Sequence, residues 1–242
     1  MPAPQSVPTL AVRRIGTPHS SLPPVVLLHG FASSAAEDFG DWGDTLAAAG
    51  RTGVLVDLPG HGDSPAVAGA DASTDAVVRA LSAALGADEV DVVGYSLGAR
   101  LAWELPAATG RVRRLVLGGL SPFEPFAAVD VVAVARAVHG ESPADPFVGM
   151  MAGMVSAPGC DVDALLALIA GLGSQPFAPG ALGASRPDVP TLFVAGDADQ
   201  LTTGLEGLAA TVPGARYATV PGDHLAALHS PAFRAAALAH LA

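Results

Sequence analysis

Lysine is absent from the sequence: all twelve basic side chains are arginine. Three lysine chemistries are thereby excluded: a P-loop holding nucleotide phosphates, a Schiff base to pyridoxal phosphate, and the lysine of protein kinases. No basic run is longer than Arg113-Arg114, and 23 acidic residues leave a formal net charge of −11. A surface that tracks phosphates is not expected on such a chain, so no nucleic-acid partner is expected either. Cysteine is nearly absent. Cys160 alone cannot form an internal disulfide and reads as a small hydrophobe or loop residue. The seven histidines form no pairs with cysteine at metal-ligand spacing, so no metal and no cofactor are expected. The N-terminal MPAPQSVPTL lacks a basic segment followed by a long apolar run. Neither a signal peptide nor a membrane span is expected there, and cytoplasmic is the default location.

What is present is apolar. Half of the 242 residues are hydrophobic, enough for a sizeable core in one α/β domain. Short β-branched runs predict strands at Thr9–Ile15, Val25–His29, Gly53–Leu58, Val90–Tyr95, Val112–Leu117, Thr191–Ala195 and Ala215–Val220. Between them, Ala- and Leu-rich stretches predict helices at Ala35–Ala49, Thr74–Leu85, Leu97–Ala107, Gly204–Thr211 and Ala232–Leu241. The alternation implies a mostly parallel central sheet flanked by helices. Residues 121–188 break the rhythm with apolar helical patches punctuated by eight prolines. Because the break lies between two strands, it reads as an insertion over the sheet within one domain, 1–242.

Parallel strands gather functional loops at their carboxyl ends. Five such ends are polar: His29-Gly30-Phe31, DLPGHGDS (57–64), GYSLG (94–98), GDAD (196–199) and PGDHLAAL (221–228). Ser96 between Gly94 and Gly98 either caps the following helix or stands exposed on a tight turn as a nucleophile. A serine nucleophile needs a base, and that base needs an orienting acid.

Together these segments, which stretch from Val25 to Pro231, resemble the α/β-hydrolase family over nearly all of the chain except the insertion and the N-terminus. The resemblance implies the α/β-hydrolase fold with a helical cap or lid at about 121–188, and a nucleophile elbow bearing Ser96. In the family's order of nucleophile, acid and histidine, the triad is Ser96, an acid in GDAD, and His224, with His229 the rival histidine. The family's acid position corresponds to Asp199. Asp197 and Glu124 are the alternatives, Asp197 being closer to its strand and suited to bonding the turn backbone. Asp223 stands where the family more often has Gly or Ala. The oxyanion hole would be the backbone N–H groups of Phe31 and Leu97. Asp57 and His61 read as braces of their loop, and His19, His139 and His240 fall outside the expected site.

The implied function is a serine esterase cleaving a carboxylic ester or lactone of a small, largely apolar substrate. Tyr95, Arg100, Phe123, Phe126, Phe147, Met150 and Met154 are substrate-binding candidates. If the insertion forms an apolar acyl site, medium-chain esters should be preferred over acetates. Two alternatives accompany this reading. HGF, DLPGHG and GYSLGAR also resemble the menaquinone-pathway lyase that eliminates pyruvate, in whose family an arginine matching Arg100 reads an anionic substrate. A ligand-binding protein that keeps the fold without turnover is the other. The partner is a small molecule, and the sequence leaves the oligomeric state open.

Overall fold

Seven branched apolar runs become strands in the computed structural model, which describes residues 7–181 and 184–242. The first six residues of the N-terminal reading, and residues 182 and 183 of the 121–188 segment, lie outside the described residues. In chain order the elements are β1 (Val12–Gly16), β2 (Val25–Leu28), α1 (Ala35–Phe39), α2 (Gly43–Ala48), β3 (Thr52–Val56), α3 (Thr74–Ala84) and β4 (Val90–Tyr95). Then follow α4 (Leu97–Ala102), α5 (Leu105–Thr109), β5 (Val112–Gly118), α6 (Val131–Val138), α7 (Pro146–Val155) and α8 (Val162–Ser174). The chain finishes with β6 (Thr191–Gly196), α9 (Leu205–Ala209), β7 (Arg216–Val220), α10 (His224–Leu228) and α11 (Pro231–Leu241).

The strands form one sheet in the order β1-β3-β2-β4-β5-β6-β7, parallel throughout except for β1, which runs antiparallel along β3. Alternate side chains of one strand enter opposite faces. Val25 and Leu27 therefore join Phe39, Trp42 and Phe233 beneath one face, while Val26 and Leu28 join Leu81, Leu101 and Leu168 on the other. Both faces are covered, which is why the inner strands read as continuous apolar runs instead of alternating ones. The chain passes from β2 outward to β3 and then returns to place β4 on the opposite side of β2. The loops after β2 and β4 consequently face each other at the switch in strand order, where open α/β sheets hold their ligands.

Two expected helices are broken. Ala35–Ala49 is interrupted by a 3-10 turn at Gly40–Trp42, where glycines at 40 and 43 weaken the helix. Leu97–Ala107 divides into α4 and α5 because the ring of Pro106, lacking an N–H, would collide with the carbonyl four residues earlier, that of Ala102, where α4 stops. Between β5 and β6 the prolines punctuate helices without preventing them: Pro146 opens α7 and Pro125 opens a 3-10 turn at Pro125–Ala128. Among the described residues no helix is long and apolar enough to cross a membrane.

At the amino ends of the strands a charge cluster closes the fold. Asp91 on β4 is fully buried and accepts from Arg51 and from both Nε and Nη2 of Arg113, at 3.0 and 2.7 Å. The same arginines donate to the carbonyl of Leu241, and Arg114 donates to that of His240 at 2.7 Å. These are terminal carbonyls of α11 that have no partner within the helix, and cations suit the negative end of its dipole. Removing the shared carboxylate would leave Arg51 buried and unpaired. Asp91→Asn should lower unfolding free energy by about 3–5 kcal/mol, measured by urea denaturation. Arg113→Gln should cost clearly less, because the Arg113 side chain is one-third exposed.

Candidate active site

The turn between β4 and α4 holds Ser96 at φ 52°, ψ −115°, a conformation rare for a residue with a side chain. Close packing imposes it. A Cβ on Gly94 would come within 2.4 Å of the Gly98 carbonyl oxygen, and one on Gly98 within 2.1 Å of that of Leu28. Only glycine lets strand, turn and helix approach this closely. Ser96 N–H is anchored on Gly118 O at 2.9 Å, and Leu97, the first residue of α4, has an N–H with no acceptor inside the helix.

His224 begins α10, whose N-cap is Asp223: the Asp223 carboxylate accepts from Ala226 N–H at 2.9 Å. The imidazole lies between Asp199 Oδ2, 2.7 Å from Nδ1, and Ser96 Oγ, 2.9 Å from Nε2. A carboxylate can only accept, so Nδ1 carries the proton and Nε2 is left to accept from the serine hydroxyl. Asp199 is held in turn by Leu201 N–H at 3.0 Å and has a buried side chain. Asp197 instead accepts from Gly222 N–H at 2.8 Å and braces the loop that delivers the histidine. Glu124 faces Arg100, accepting from its Nε at 2.7 Å.

The loop after β2 is pinned on both sides of Phe31. Gly30 N–H donates to Asp38 Oδ2 at 2.8 Å and Ala32 N–H to His61 Nε2 at 3.0 Å. His29 accepts from Leu58 N–H at 2.9 Å through Nε2 and donates from Nδ1 to Gly30 O at 2.7 Å. Both histidines must be neutral to accept. Burial, reinforced by the neighbouring His61, pulls the His29 pKa down to about 3, and burial also lowers that of His61. Asp57 accepts from Ala35 and Asp63 N–H groups and so braces its loop.

A cavity of about 60 Å³ opens beside Ser96, walled chiefly by Phe31, Leu97, Leu120, Phe123, Phe126 and Leu201, with Arg100 at its boundary. Several substrate-binding candidates lie elsewhere. Phe147, Met150 and Met154 are partly exposed on α7 and do not line it, because that helix buries Val148, Met151, Ala152 and Val155, the opposite stripe at helical spacing. Tyr95 is buried behind the histidine and donates its hydroxyl to His224 O at 2.6 Å, burial pushing its pKa up and keeping the phenol protonated. Arg100 borders the cavity: its Nε donates to Glu124 and its Nη2 to Thr74 Oγ1 at 2.8 Å and Gln175 O at 2.9 Å, while its buried Nη1 has no partner among the described residues. A larger cleft of about 610 Å³ shares Arg100 and contains neither Ser96 nor His224.

Sequence reasoning missed Asp38, Leu120, Ser121 and Leu201. Leu120 and Ser121 were within reach, since they follow β5 and obey the strand-end rule that singled out the other loops. Asp38 carried no signal, because its partner at Gly30 is a backbone amide on another element.

A family model described as alpha/beta hydrolase fold matches residues 23–137. Among solved structures, a hydrolase from Pseudomonas aeruginosa PA01 is 25% identical, with 96% of this chain and 94% of that chain covered at a TM-score of 0.69. An enol-lactonase from Burkholderia xenovorans LB400 is 19% identical, with 96% of both chains covered and a TM-score of 0.70. An esterase from Exiguobacterium antarcticum is also 19% identical, covering 96% of this chain and 95% of that one at a TM-score of 0.72. No curated protein sequence matches significantly.

The buried neutral His29 makes stability depend on pH. Its folded pKa lies below the unfolded value near 6.5, so its contribution is complete above that value and is lost as pH falls toward 3. Between about pH 6 and 3 the slope from this group approaches about 1.4 kcal/mol per pH unit. Denaturant midpoints from pH 7 to 4 should fall more steeply for the parent than for His29→Gln.

Proposed function

The chain is a member of the α/β-hydrolase superfamily, and on that premise we propose that it is a serine hydrolase cleaving a carboxylic ester or lactone through an acyl-enzyme. Support comes above all from one unbroken chain of hydrogen bonds, Asp199 to His224 at 2.7 Å and His224 to Ser96 at 2.9 Å. In this reading Nε2 takes the Ser96 proton as Oγ attacks the substrate carbonyl carbon, and the carbonyl π pair moves onto oxygen. The Asp199 carboxylate stabilises the imidazolium that forms. The oxyanion is received by the N–H groups of Phe31 and Leu97, and one such donor is worth about 2.7–4 kcal/mol of barrier. The imidazolium then gives its proton to the departing alkoxide. Water enters, loses a proton to Nε2 and attacks the acyl carbon, and Ser96 leaves reprotonated by His224.

Residues 121–188 serve as the cap of this one domain in the proposal. A ligand-binding protein without turnover would not need the full hydrogen-bonded chain. The lyase reading needs a guanidinium free to meet a dianion, whereas the charge of Arg100 is buried and already paired with Glu124 through Nε, which leaves only Nη1 without a partner among the described residues. Neither alternative is favoured by an observation of its own.

Ser96→Ala should abolish ester turnover and labelling by a fluorophosphonate while leaving the thermal midpoint nearly unchanged; undiminished labelling of the variant would move the nucleophile elsewhere. Asp199→Asn should lower kcat by about 10⁴-fold, through the wrong histidine tautomer. Asp197→Asn should act mainly on stability. Steady-state kinetics beside thermal melts separate the two carboxylates, and the reverse ranking would reassign the acid.

A further inference from the structure

We infer that the cavity beside Ser96 is a short-acyl site closed by Phe126, and that the alcohol half of the substrate is apolar and lies outside it, on the His224 side. The inference rests on the serine-hydrolase reading. In a tetrahedral intermediate the leaving oxygen must receive its proton from His224 Nε2, so the alcohol half faces the imidazole. With Oγ and the oxyanion in place, the acyl chain takes the remaining direction, away from His224. The cavity is bordered by Ser96, Phe31 and Leu97 but not by His224, which identifies it as the acyl side.

Its size limits what enters. An apolar cavity of about 150 Å³ takes the six carbons of benzene, so one of about 60 Å³ takes two or three carbons. Acetyl and propionyl groups fit, and the six carbons of a hexanoyl group do not. The end wall is built to hold its shape. The Phe126 ring is buried and packs on that of Phe31 at 5.0 Å between centroids. Its own N–H donates to Glu124 Oε1 at 3.2 Å, while Oε2 of the same buried carboxylate holds Arg100 of α4 and the Phe177 N–H. Pushing the wall back would therefore pull on an ion pair anchored in the helix that follows the nucleophile. This reverses the preference for medium-chain acyl groups that the apolar composition of residues 121–188 suggested.

Outside the cavity the surface is apolar. Phe123 and Leu201 at its mouth are 59% and 50% exposed, and Leu225, which follows His224 in α10, is 67% exposed. Large apolar side chains in water around the mouth suit an alcohol half of hydrocarbon character that emerges there, since each methylene they cover contributes to binding.

Hexyl acetate and ethyl hexanoate are isomers of equal bulk that exchange the two halves. For the parent, kcat/KM should favour hexyl acetate by about tenfold or more, and p-nitrophenyl acetate should likewise exceed p-nitrophenyl hexanoate. In Phe126→Ala both ratios should move toward one. A ratio of two substrates on one preparation does not depend on how much of the variant folds, and Phe126→Leu supplies an intermediate step. Ester turnover with the six-carbon acyl group equal or preferred in the parent would overturn the acyl-site inference and leave the hydrolase reading intact. No turnover of any of the four esters, with no fluorophosphonate label on Ser96, would overturn the hydrolase reading itself.

Discussion

The backbone of Ser96 is the constraint on which the rest of the site depends. A residue held at φ 52° outside the common regions costs about 1–3 kcal/mol, and it persists because β2, β4 and α4 meet at distances that only Gly94 and Gly98 allow. The conformation aims Oγ away from the sheet while leaving the Leu97 N–H unpaired at the head of α4. The Ser96 hydroxyl and the Leu97 N–H are thus set by the same turn. A relaxed backbone at residue 96 would move both together, so in the proposed mechanism nucleophile and oxyanion donor cannot be adjusted independently. The strain is carried by the packed sheet beneath, whose inner strands are covered on both faces.

Around that turn the loops are held by buried polar groups. His29 and His61 stay neutral and so can accept amide protons, joining the loop after β2 to the loop after β3. Glu124 stays paired with Arg100 and joins the segment after β5 to α4. Asp199 stays on His224. Each tie links elements far apart in sequence, and each would be costly if one partner were lost, because the other would remain buried without a mate.

The strands were legible because a two-sided parallel sheet demands continuous branched apolar runs, and those runs are plain in the sequence. The elbow was legible for a related reason: the two glycines flanking Ser96 are a steric requirement with a fixed spacing. The break after Ala102 was equally open to inspection in Pro106. What lay hidden depended on direction. The composition of α7 announces apolar side chains on every side, and only docking decides that Met151 goes inward and Met150 outward. Arg100 looked free because its partner, Glu124, lies 24 residues away, beyond α5, β5 and a turn. The family resemblance directed attention to Asp199, but only the fold separates its contact with the histidine from the backbone contact made by Asp197.

The arginine cluster beneath the sheet also bears on how the chain matures. Arg51, Asp91, Arg113 and Arg114 come from β3, β4, β5 and their approaches, whereas, apart from Pro23 O on Arg51, the carbonyls that these arginines meet belong to His240 and Leu241. During synthesis the central strands leave the ribosome well before α11, the last described element to emerge. Until it arrives, the guanidinium groups at the base of a nascent sheet lack their acceptors on α11, and the apolar surface that Phe233 and Leu241 will cover stays open to water. The turn that bears Ser96 is already in the emerged chain at that stage. His224 is not, since it also belongs to the late portion, so the hydrogen bond between the two and the closing of the fold arrive with the same stretch of polypeptide.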